Sequence, residues 1–285
     1  MGTLYIVATP IGNLEDITLR AMRVLGEVPL IAAEDTRSIR RLLTHYEIRR
    51  PRLLSYTERN RRARTPRILA ALEEGDVALV SEAGMPAISD PGLHLVEAAI
   101  AAGHRVAPIP GASALTAALA VAGLPTRRFH YQGFLPRRAG QRRRLLRELA
   151  SRQETLVMFE APHRLRQSLT DLHEALGDRQ VAVCREMTKL YEEIFRGTLS
   201  EALDHFTEPR GECTLVIEGA SDVEAAAAQE ASFDVDAELR QLRAQGLRAR
   251  EAVRTVAQRS GLPHREVYRR WLALSASDEP PPTTS

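Results

Sequence analysis

The sequence predicts an α/β protein with two successive α/β domains and a small helical domain after them. Short apolar runs alternate with helical patterns up to residue 219, which is typical of strands joined by helices. The pattern breaks at GLPTRRF (residues 123–129) and then starts again, which indicates a second domain. The last part of the chain has a helical pattern without strands. We therefore expect domains at residues 1–122, 123–219 and 237–275.

The first domain, residues 1–122, is expected to hold a mostly parallel sheet, because each strand is followed by a helix. The predicted strands are LYIVA (4–8), LIAAED (30–35), RLLSY (52–56), DVALV (76–80) and HRVAPIP (104–110). The predicted helices run to residue 24 from a cap at Asp16, and then over 38–46, 65–74, 93–102 and 114–122.

The second domain, residues 123–219, repeats the alternation of strands and helices. The predicted strands are FHYQGFL (129–135), TLVMFEA (155–161), QVAVCREM (180–187), YEEIFRGTL (191–199) and GECTLVIEG (211–219). The predicted helices cover residues 141–151, 162–176 and 200–206.

The third domain follows an acidic, alanine-rich linker at residues 220–236. Residues 237–275 are helical in pattern with a break at SGLP (260–263), and their apolar spacing fits a helix-turn-helix. The alternative is a plain helical hairpin that packs back on the body of the protein. The tail, residues 276–285, is rich in proline and polar residues and is predicted to be disordered.

Charge is segregated along the chain, although the 285 residues carry a formal net charge of only +2. Residues 37–67 hold eleven arginines against two acids, and residues 127–152 hold nine arginines against one. Two such segments favour a polyanionic partner such as nucleic acid, whereas a single one would be read as a solvated helix face. Cys184 and Cys213 lie in apolar runs without metal-ligand spacing. The start of the chain lacks the basic region of a signal peptide and no apolar run is long enough for a membrane span, so we expect a cytoplasmic protein that binds neither metal nor membrane.

The stretch VSEAGMPAISDPG (residues 80–92) predicts a ligand-binding loop. It joins a buried strand to a helix, and Pro86 and Pro91 exclude both helix and central strand. Ligands of α/β proteins bind at this end of the strands. The standard glycine-rich dinucleotide motif and the P-loop are both missing from the sequence, so a cofactor would be held by a different set of loops.

Eight motifs follow one another along the chain: TPIGNLEDITLRA, AAEDTR, SEAGMPAISDPG, PGASALTAALAVAGL, GFLPRR, FEAPHR, REMTK and GECTLVIEG. In their order and spacing they resemble the ribosomal RNA small subunit methyltransferase I family of the tetrapyrrole methylase superfamily. The resemblance implies two α/β domains of the tetrapyrrole methylase type with S-adenosyl-L-methionine (SAM) in the cleft between them. It also implies a homodimer that methylates the ribose 2′-oxygen of a cytidine in the decoding region of 16S ribosomal RNA in the small ribosomal subunit. The sequence departs from the usual pattern at Glu82, Met85, Ala112 and Arg138.

The resemblance also implies which residues form the SAM site. They are small, apolar or backbone-presenting residues of the strand-end loops, which suits a sulfonium ligand. The expected cofactor residues are Pro10, Ser81, Ala83, Gly84, Met85, Ile88, Ser113, Ala114, Phe159, Glu160, Met187, Cys213 and Thr214. For Phe159 and Met187, the alternative interpretation is that they are ordinary core residues.

Methyl transfer to a ribose hydroxyl requires alignment and removal of a proton. The candidate bases are Asp35 and Glu186. Arg37, Arg185 and Lys189 are candidates for holding phosphate, although loop salt bridges explain each of these residues nearly as well.

The arginine-rich segment after the motif GFLPRR is predicted to contact RNA phosphate, with Tyr131 and Phe134 stacking on bases. Its RNA-binding candidates are Arg137, Arg138, Arg142, Arg143 and Arg144. Two other functions stay open at this point: a methylase that acts on a tetrapyrrole, and an RNA-binding protein that has lost catalysis. A small substrate such as a tetrapyrrole would not require two arginine-rich segments or a helix-turn-helix, so these features favour an RNA substrate.

Overall fold

The computed structural model describes residues 1–49, 51–225, 235–260 and 262–277. Most of the predicted linker and tail, together with Gly261 of the predicted break, lies outside these residues. The chain divides into two compact units. The first comprises Met1–Arg138 and Glu154–Glu218, and the second comprises Ala139–Gln153 and Gly219–Ser285.

The first sheet is fully parallel and has the strand order β3-β2-β4-β1-β5. This confirms the parallel α/β architecture that the sequence predicts. Its strands are β1 (Thr3–Val7), β2 (Leu30–Ala33), β3 (Arg52–Ser55), β4 (Val77–Val80) and β5 (Arg105–Ile109). The helices are α1 (Leu19–Glu27), α2 (Thr36–His45), α3 (Arg61–Glu74), α4 (Leu93–Ala101) and α5 (Ala114–Val121).

Side chains of the first sheet alternate between two apolar layers, as the two-residue period of a strand requires. Ile31 and Val80 pack in one layer against α1 and α2. Leu4 and Leu79 pack in the other layer against α3 and α4. Because both faces are covered, the carboxyl ends of the strands are where the sheet remains open to a ligand.

The second sheet has the order β6-β7-β10-β8-β9 and mixes two directions. β6 and β7 run parallel, whereas β10 runs antiparallel to β7 and β8, and β9 runs antiparallel to β8. The strands are β6 (Phe129–Phe134), β7 (Thr155–Glu160), β8 (Gln180–Arg185), β9 (Glu193–Thr198) and β10 (Cys213–Ile217). Helices α7 (Pro162–Leu176) and α8 (Leu199–His205) belong to the same unit.

Helix α5 packs on the second sheet although it precedes the predicted domain boundary at residue 123. Ala118 and Leu119 are buried with Val157 and Val216 in one apolar cluster. Helix α5, which follows β5 of the first sheet, therefore contributes to the core of the second sheet, and both sheets belong to one compact unit.

Two predicted helix starts are wrong in position. Helix α1 is capped by Thr18, whose hydroxyl accepts from the backbone N–H of Ala21, and not by Asp16, which lies in a preceding 3-10 turn. Helix α3 begins at Arg61 and carries Pro66 in its second turn. A proline near the start of a helix removes only one backbone hydrogen bond, so the helix includes Pro66. The predicted start at residue 65 therefore misses the first turn of α3.

The second unit holds α6 (Ala139–Leu149), α9 (Val235–Ala244), α10 (Ala249–Ser260) and α11 (His264–Ser277). Its core contains Leu239 from α9, Val256 from α10, and Val267 and Trp271 from α11. Helix α10 ends at Ser260 and α11 begins at His264, while the assignment of this pair as a helix-turn-helix stays a prediction. None of the helices among the described residues is long and apolar enough to cross a membrane.

Candidate functional site

The loops that follow β1 and β4 are joined to each other at the carboxyl edge of the first sheet. The N–H of Thr9 donates to the carbonyl of Gly84 at 2.9 Å, and the N–H of Gly84 donates to the carbonyl of Thr9 at 3.0 Å. Both backbone groups of Gly84 are therefore occupied, so this glycine does not offer its own N–H to a ligand. Its role is to turn the loop, with φ at +78°.

A cavity of about 510 Å³ opens beside this pair of loops, within the first unit. Its volume lies in the ordinary range of small-molecule sites. Ten of the thirteen cofactor residues expected from the sequence line it. They are Ala83, Gly84, Met85, Ile88, Ser113, Ala114, Phe159, Glu160, Cys213 and Thr214.

The far wall of this cavity is built by neighbouring positions of two antiparallel strands. Cys213 pairs with Glu160, and Thr214 pairs with Phe159, at the end of the β7–β10 ladder. Phe159 also meets the rings of Tyr131 and Phe134 edge-on, with centroids 5.3 and 5.6 Å away. This aromatic wall is typical of a surface against which a flat ligand ring packs.

Glu160 is held by the protein itself. It is buried, and its carboxylate accepts from the N–H of Ala161 at 2.9 Å and from the hydroxyl of Ser168, and forms an ion pair with Arg164 at 3.3 Å. These donors satisfy its charge at the start of α7. Glu160 thus shapes the cavity wall and has little capacity left for a ligand.

The loop between β4 and α4 is held in an unusual conformation where it lines the cavity. Besides Gly84, the residues Ala87 and Ser89 have positive φ values of 68° and 65°. The hydroxyl of Ser89 lies 2.6 Å from that of Tyr131, and the single proton of the Ser81 hydroxyl is shared between the carbonyls of Ala83 and Gly84, each 3.2 Å away. Non-glycine residues in this region are strained and persist where the surroundings fix them, often at functional sites.

Three carboxylates that line the cavity, those of Glu34, Glu82 and Asp90, have no cationic partner among the described residues. Burial raises the pKa of Asp90 to about 6, and the nearby charge of Glu34 adds to this shift. Burial also raises the pKa of Glu34, to which the charge of Glu82 contributes. Unpaired carboxylates in a half-buried cavity favour a cationic ligand, because a positive charge there relieves their mutual repulsion.

The residues of the cavity therefore fit SAM, in which a flat adenine ring and a ribose are joined to a cationic sulfonium and to an amino acid group with an ammonium and a carboxylate. The aromatic and apolar side chains suit the adenosine, and Glu34 and Asp90 suit the cationic part. Helix α5 begins at the cavity wall without a side-chain cap, so its first backbone N–H groups are available to ligand acceptors.

The two cysteines are not reactive groups. Burial raises the pKa of Cys184 to about 11 and that of Cys213 to about 12, so both are neutral thiols near pH 7. In the described part of the chain, no three His, Cys, Asp or Glu side chains are grouped as a metal site would need.

The remaining three expected cofactor residues do not line this cavity. Pro10 lines a second cavity next to it. Ser81 is buried and fixes the loop through the hydrogen bonds described above. Met187 is buried in the apolar core between α5 and the second sheet.

The candidate base Asp35 is a helix cap. Its carboxylate accepts from the backbone N–H of Arg37 at 2.7 Å, and the guanidinium of Arg37 lies 3.1 Å away. Hydrogen bonds from Arg37 lower the pKa of Asp35. Neither residue lines a cavity described here, so their geometry favours a structural role at the start of α2.

The candidate base Glu186 is part of a salt-bridged loop. Burial works to raise its pKa, but hydrogen bonds from Lys189 and from the backbone of Glu212 outweigh it and lower the pKa. Lys189 Nζ lies 2.8 Å from Glu186 and 3.0 Å from Glu212. An added Cβ at Gly211 would lie 2.2 Å from the Glu186 side chain, which shows how tightly this carboxylate is packed. Arg185 is likewise paired, with Glu193 at 2.7 Å.

The arginine-rich segment is divided by burial. Arg142 is buried on α6 with 4% of its surface exposed, so it does not present a charge to a polyanion in this conformation. Arg137, Arg138, Arg143 and Arg144 are exposed, and Arg144 pairs with Glu148 one turn along the helix. The buried position follows from the helical period, because Arg142 lies on the same face as Leu146 and Leu149.

Asp90 and Glu34 were not among the catalytic or cofactor residues expected from the sequence. Asp90 lies in the loop of residues 80–92, and Glu34 directly follows β2. Their importance depends on how close the two carboxylates lie to each other in the folded protein, which the sequence does not show. A usable signal was present: both acids follow strands of a parallel sheet, whose carboxyl ends meet at one edge.

Comparison with known proteins identifies the family of this chain. The sequence model of the tetrapyrrole (corrin/porphyrin) methylases matches residues 3–203. The ribosomal RNA small subunit methyltransferase I of Halalkalibacterium halodurans is 48% identical over 271 residues, which cover 94% of this chain and 93% of that protein. The protein of the same name from Thermotoga maritima is 54% identical over 222 residues, which cover 77% of this chain and 99% of that protein.

A solved structure supports the same fold. The uroporphyrin-III C-methyltransferase of Thermus thermophilus, crystallised in complex with S-adenyl homocysteine, superposes with a TM-score of 0.54 at 22% identity. The superposition covers 76% of this chain and 97% of that one, and at this identity it shows the fold alone. Sequence, site and relatives agree that this chain belongs to the ribosomal RNA small subunit methyltransferase I family of the tetrapyrrole methylases.

Proposed function

We propose that this protein methylates the ribose 2′-oxygen of a cytidine in the decoding region of small-subunit ribosomal RNA, with SAM as the methyl donor. The names of the relatives support ribosomal RNA as the substrate. The observation that carries the proposal is the cavity at the carboxyl edge of the first sheet, in which an aromatic wall faces the unpaired carboxylates of Glu34 and Asp90.

SAM, when bound, supplies an electrophilic methyl group on its positively charged sulfur. The residues of the chain then have two tasks, which are to align the ribose hydroxyl and to accept its proton. Transfer would exchange the C–S bond of the donor for an O–C bond on the ribose, and the hydroxyl proton would pass to a side chain of the protein.

Asp90 is the group that we propose takes the proton. It lines the cavity, whereas Asp35 and Glu186 are held by their own salt bridges. Its pKa of about 6 leaves it ionised at neutral pH and still basic enough to accept a proton in the transition state. The loop around it is fixed by the bonds of Ser81 and by the contact between Ser89 and Tyr131.

The reaction is tested by incubating the protein with isotopically labelled SAM and small ribosomal subunits that lack the modification. We expect label on a single cytidine of the decoding region, at the 2′-oxygen. Mapping the labelled nucleotide distinguishes this outcome from label on a base, on another nucleotide, or on a tetrapyrrole offered in parallel.

The exposed arginines of α6 are proposed to contact RNA phosphate, and we expect a measurable dependence on salt. Each phosphate contact adds roughly −0.7 to the slope of log K against log salt concentration for single-stranded RNA. Replacing both Arg143 and Arg144 with Gln should therefore flatten the slope by up to ~1.4. RNA binding is measured across a salt series, with SAM affinity as the internal control.

The Arg142→Gln variant, measured in the same salt series, is the control for the double variant. Because Arg142 is buried, we expect its replacement to lower the melting temperature and to leave the salt slope of the remaining folded protein unchanged. Equal slopes for wild type and the double variant would place the phosphate contacts elsewhere, for example on residues 37–67 or on the C-terminal helices.

We also propose that the protein acts as a homodimer in the cytoplasm. Family resemblance and the ribosomal substrate support these two statements. Light scattering of the full chain tests the first, and fractionation of the source cells tests the second.

A further inference from the structure

A second cavity of about 480 Å³ lies next to the one described above, also within the first unit. One side is formed by the loop after β1, at Pro10 and Gly12, and another by α2, at Ser38 and Arg41. Lys189 lines it from the loop after β8. The two cavities share wall residues, namely Ile11, Glu82, Ala83 and Glu212.

The charges of the two cavities differ. The first is lined by carboxylates and by no lysine or arginine. The second is lined by Arg41 and Lys189 in addition to Glu82 and Glu212, the two carboxylates that it shares with the first. Lys189 is paired with Glu186 and Glu212, whereas Arg41 is exposed and has no ion pair among the described residues. A cationic ligand therefore suits the first cavity, and an anionic ligand reaching Arg41 suits the second.

The walls of the second cavity are fixed before any ligand arrives. An added Cβ at Gly12 would lie 2.4 Å from Cγ of Lys189 and 2.9 Å from the hydroxyl of Thr188, so the two loops are in close contact. The N–H of Asn13 donates to that hydroxyl at 3.1 Å, and the N–H of Thr188 donates to Glu192 at 2.6 Å. A site whose loops are already locked loses little conformational entropy when it binds.

We propose that the second cavity binds a nucleotide of single-stranded RNA, with Arg41 contacting its phosphate and the ribose placed toward the shared wall. The inference rests on the proposed function, because it names the place where that substrate enters. The cavity has no aromatic side chain in its lining, so the site would hold the sugar and phosphate more firmly than it reads a base.

The test compares Arg41→Gln with Arg40→Gln in the full chain. Both arginines are exposed on α2, but only Arg41 lines the cavity, so Arg40→Gln is a matched control for loss of one charge on this helix. We expect Arg41→Gln to weaken binding of a single-stranded decoding-region RNA about tenfold, as for loss of a charged hydrogen bond. The control should weaken it no more than about twofold, through general electrostatics, and calorimetry should give the same SAM affinity for both variants.

A second variant, Ser38→Phe, fills the cavity from the half-buried start of α2. We expect it to block RNA binding and methyl transfer while SAM still binds. Equal RNA affinity of the Arg41 and Arg40 variants would overturn the inference, and so would a folded Ser38→Phe protein that binds the RNA as tightly as wild type does.

The RNA-binding measurement does not depend on catalysis, so it separates two kinds of failure. If wild type binds the RNA through Arg41 but transfers no methyl group to small subunits, the proposed function fails and the nucleotide site stands. If wild type methylates the subunits and Arg41→Gln behaves like Arg40→Gln, only the nucleotide site fails.

Discussion

Replacing Asp90 with Asn is expected to lower the rate of methyl transfer at saturating SAM by roughly 10²- to 10⁴-fold, which is the usual contribution of a positioned base. Asparagine keeps the shape of the side chain and removes its ability to accept the proton. The rate is measured in a single turnover with small subunits, so that product release does not obscure it. SAM affinity is measured separately, because Asp90 also belongs to the carboxylates that favour a cationic ligand.

The two measurements separate a base from an electrostatic partner. If Asp90 only attracts the cofactor, the loss appears in SAM affinity and the single-turnover rate at saturation stays unchanged. Asp35→Asn is the matched control, because asparagine caps a helix as well as aspartate does and Asp35 lines neither cavity. We expect that variant to keep a rate close to that of wild type.

The pH dependence gives a further test of Asp90. Since the free protein holds this carboxyl with a pKa of about 6, kcat/KM of wild type should rise with pH through that value and level off above it. The Asn variant should lack this rise. A wild-type profile that is flat from pH 5 to 7 would exclude Asp90 as the base.

The same pKa predicts an effect on stability. A carboxyl whose pKa is higher in the folded state than the ordinary 3.8 binds its proton more tightly when folded. Its stabilising effect is complete below pH 3.8 and is lost as pH rises through about 6. We therefore expect Asp90→Asn to melt at a higher temperature than wild type at pH 8, with the difference shrinking toward pH 4. A stabilising substitution that removes activity is typical of a strained functional site.

The fold was largely predictable, because its signals are local. Strands such as Val77–Val80 are apolar on both faces, and the helices between them have their own periodicity and breaks. The direction of the strands in the second sheet was not predictable in the same way. The antiparallel ladder between β7 and β10, which brings Thr214 beside Phe159, joins segments more than fifty residues apart.

The sequence predicts which loops form the site, but it does not predict the roles of the charged residues in it. The motifs identify which loops meet, and most of the expected residues do line one cavity. The role of each acid depends on its neighbours: Glu186 is neutralised by Lys189, whereas Asp90 faces Glu34 and no cation among the described residues. Arg142 is a second example of a role that the sequence does not reveal. It belongs to a run of arginines that look equivalent in the sequence, but the helix buries this one.

Replacing Gly84 with Val is expected to abolish SAM binding. Gly84 has φ at +78°, and an added Cβ would lie 3.4 Å from Cγ2 of Ile11, which itself lines the cavity. A side chain in the left-handed region costs roughly 1–2 kcal/mol, and a branched one is tolerated least. The loop is expected to relieve this strain by rotating, which would break the paired hydrogen bonds with Thr9 and displace Ala83 and Met85 from the cavity wall.

Gly103→Val separates this local effect from the general cost of the substitution. Gly103 has nearly the same φ, +81°, and its added Cβ would meet only the flexible end of Met1 at 3.4 Å, in the turn between α4 and β5. Both variants should lose similar thermal stability, but calorimetry should detect SAM binding only in Gly103→Val. If folded Gly84→Val binds SAM as tightly as wild type, the cavity beside this loop is not the cofactor site. If both variants lose binding equally, the loss reflects general destabilisation, and the geometry of the Thr9–Gly84 pair has no special part in holding the ligand.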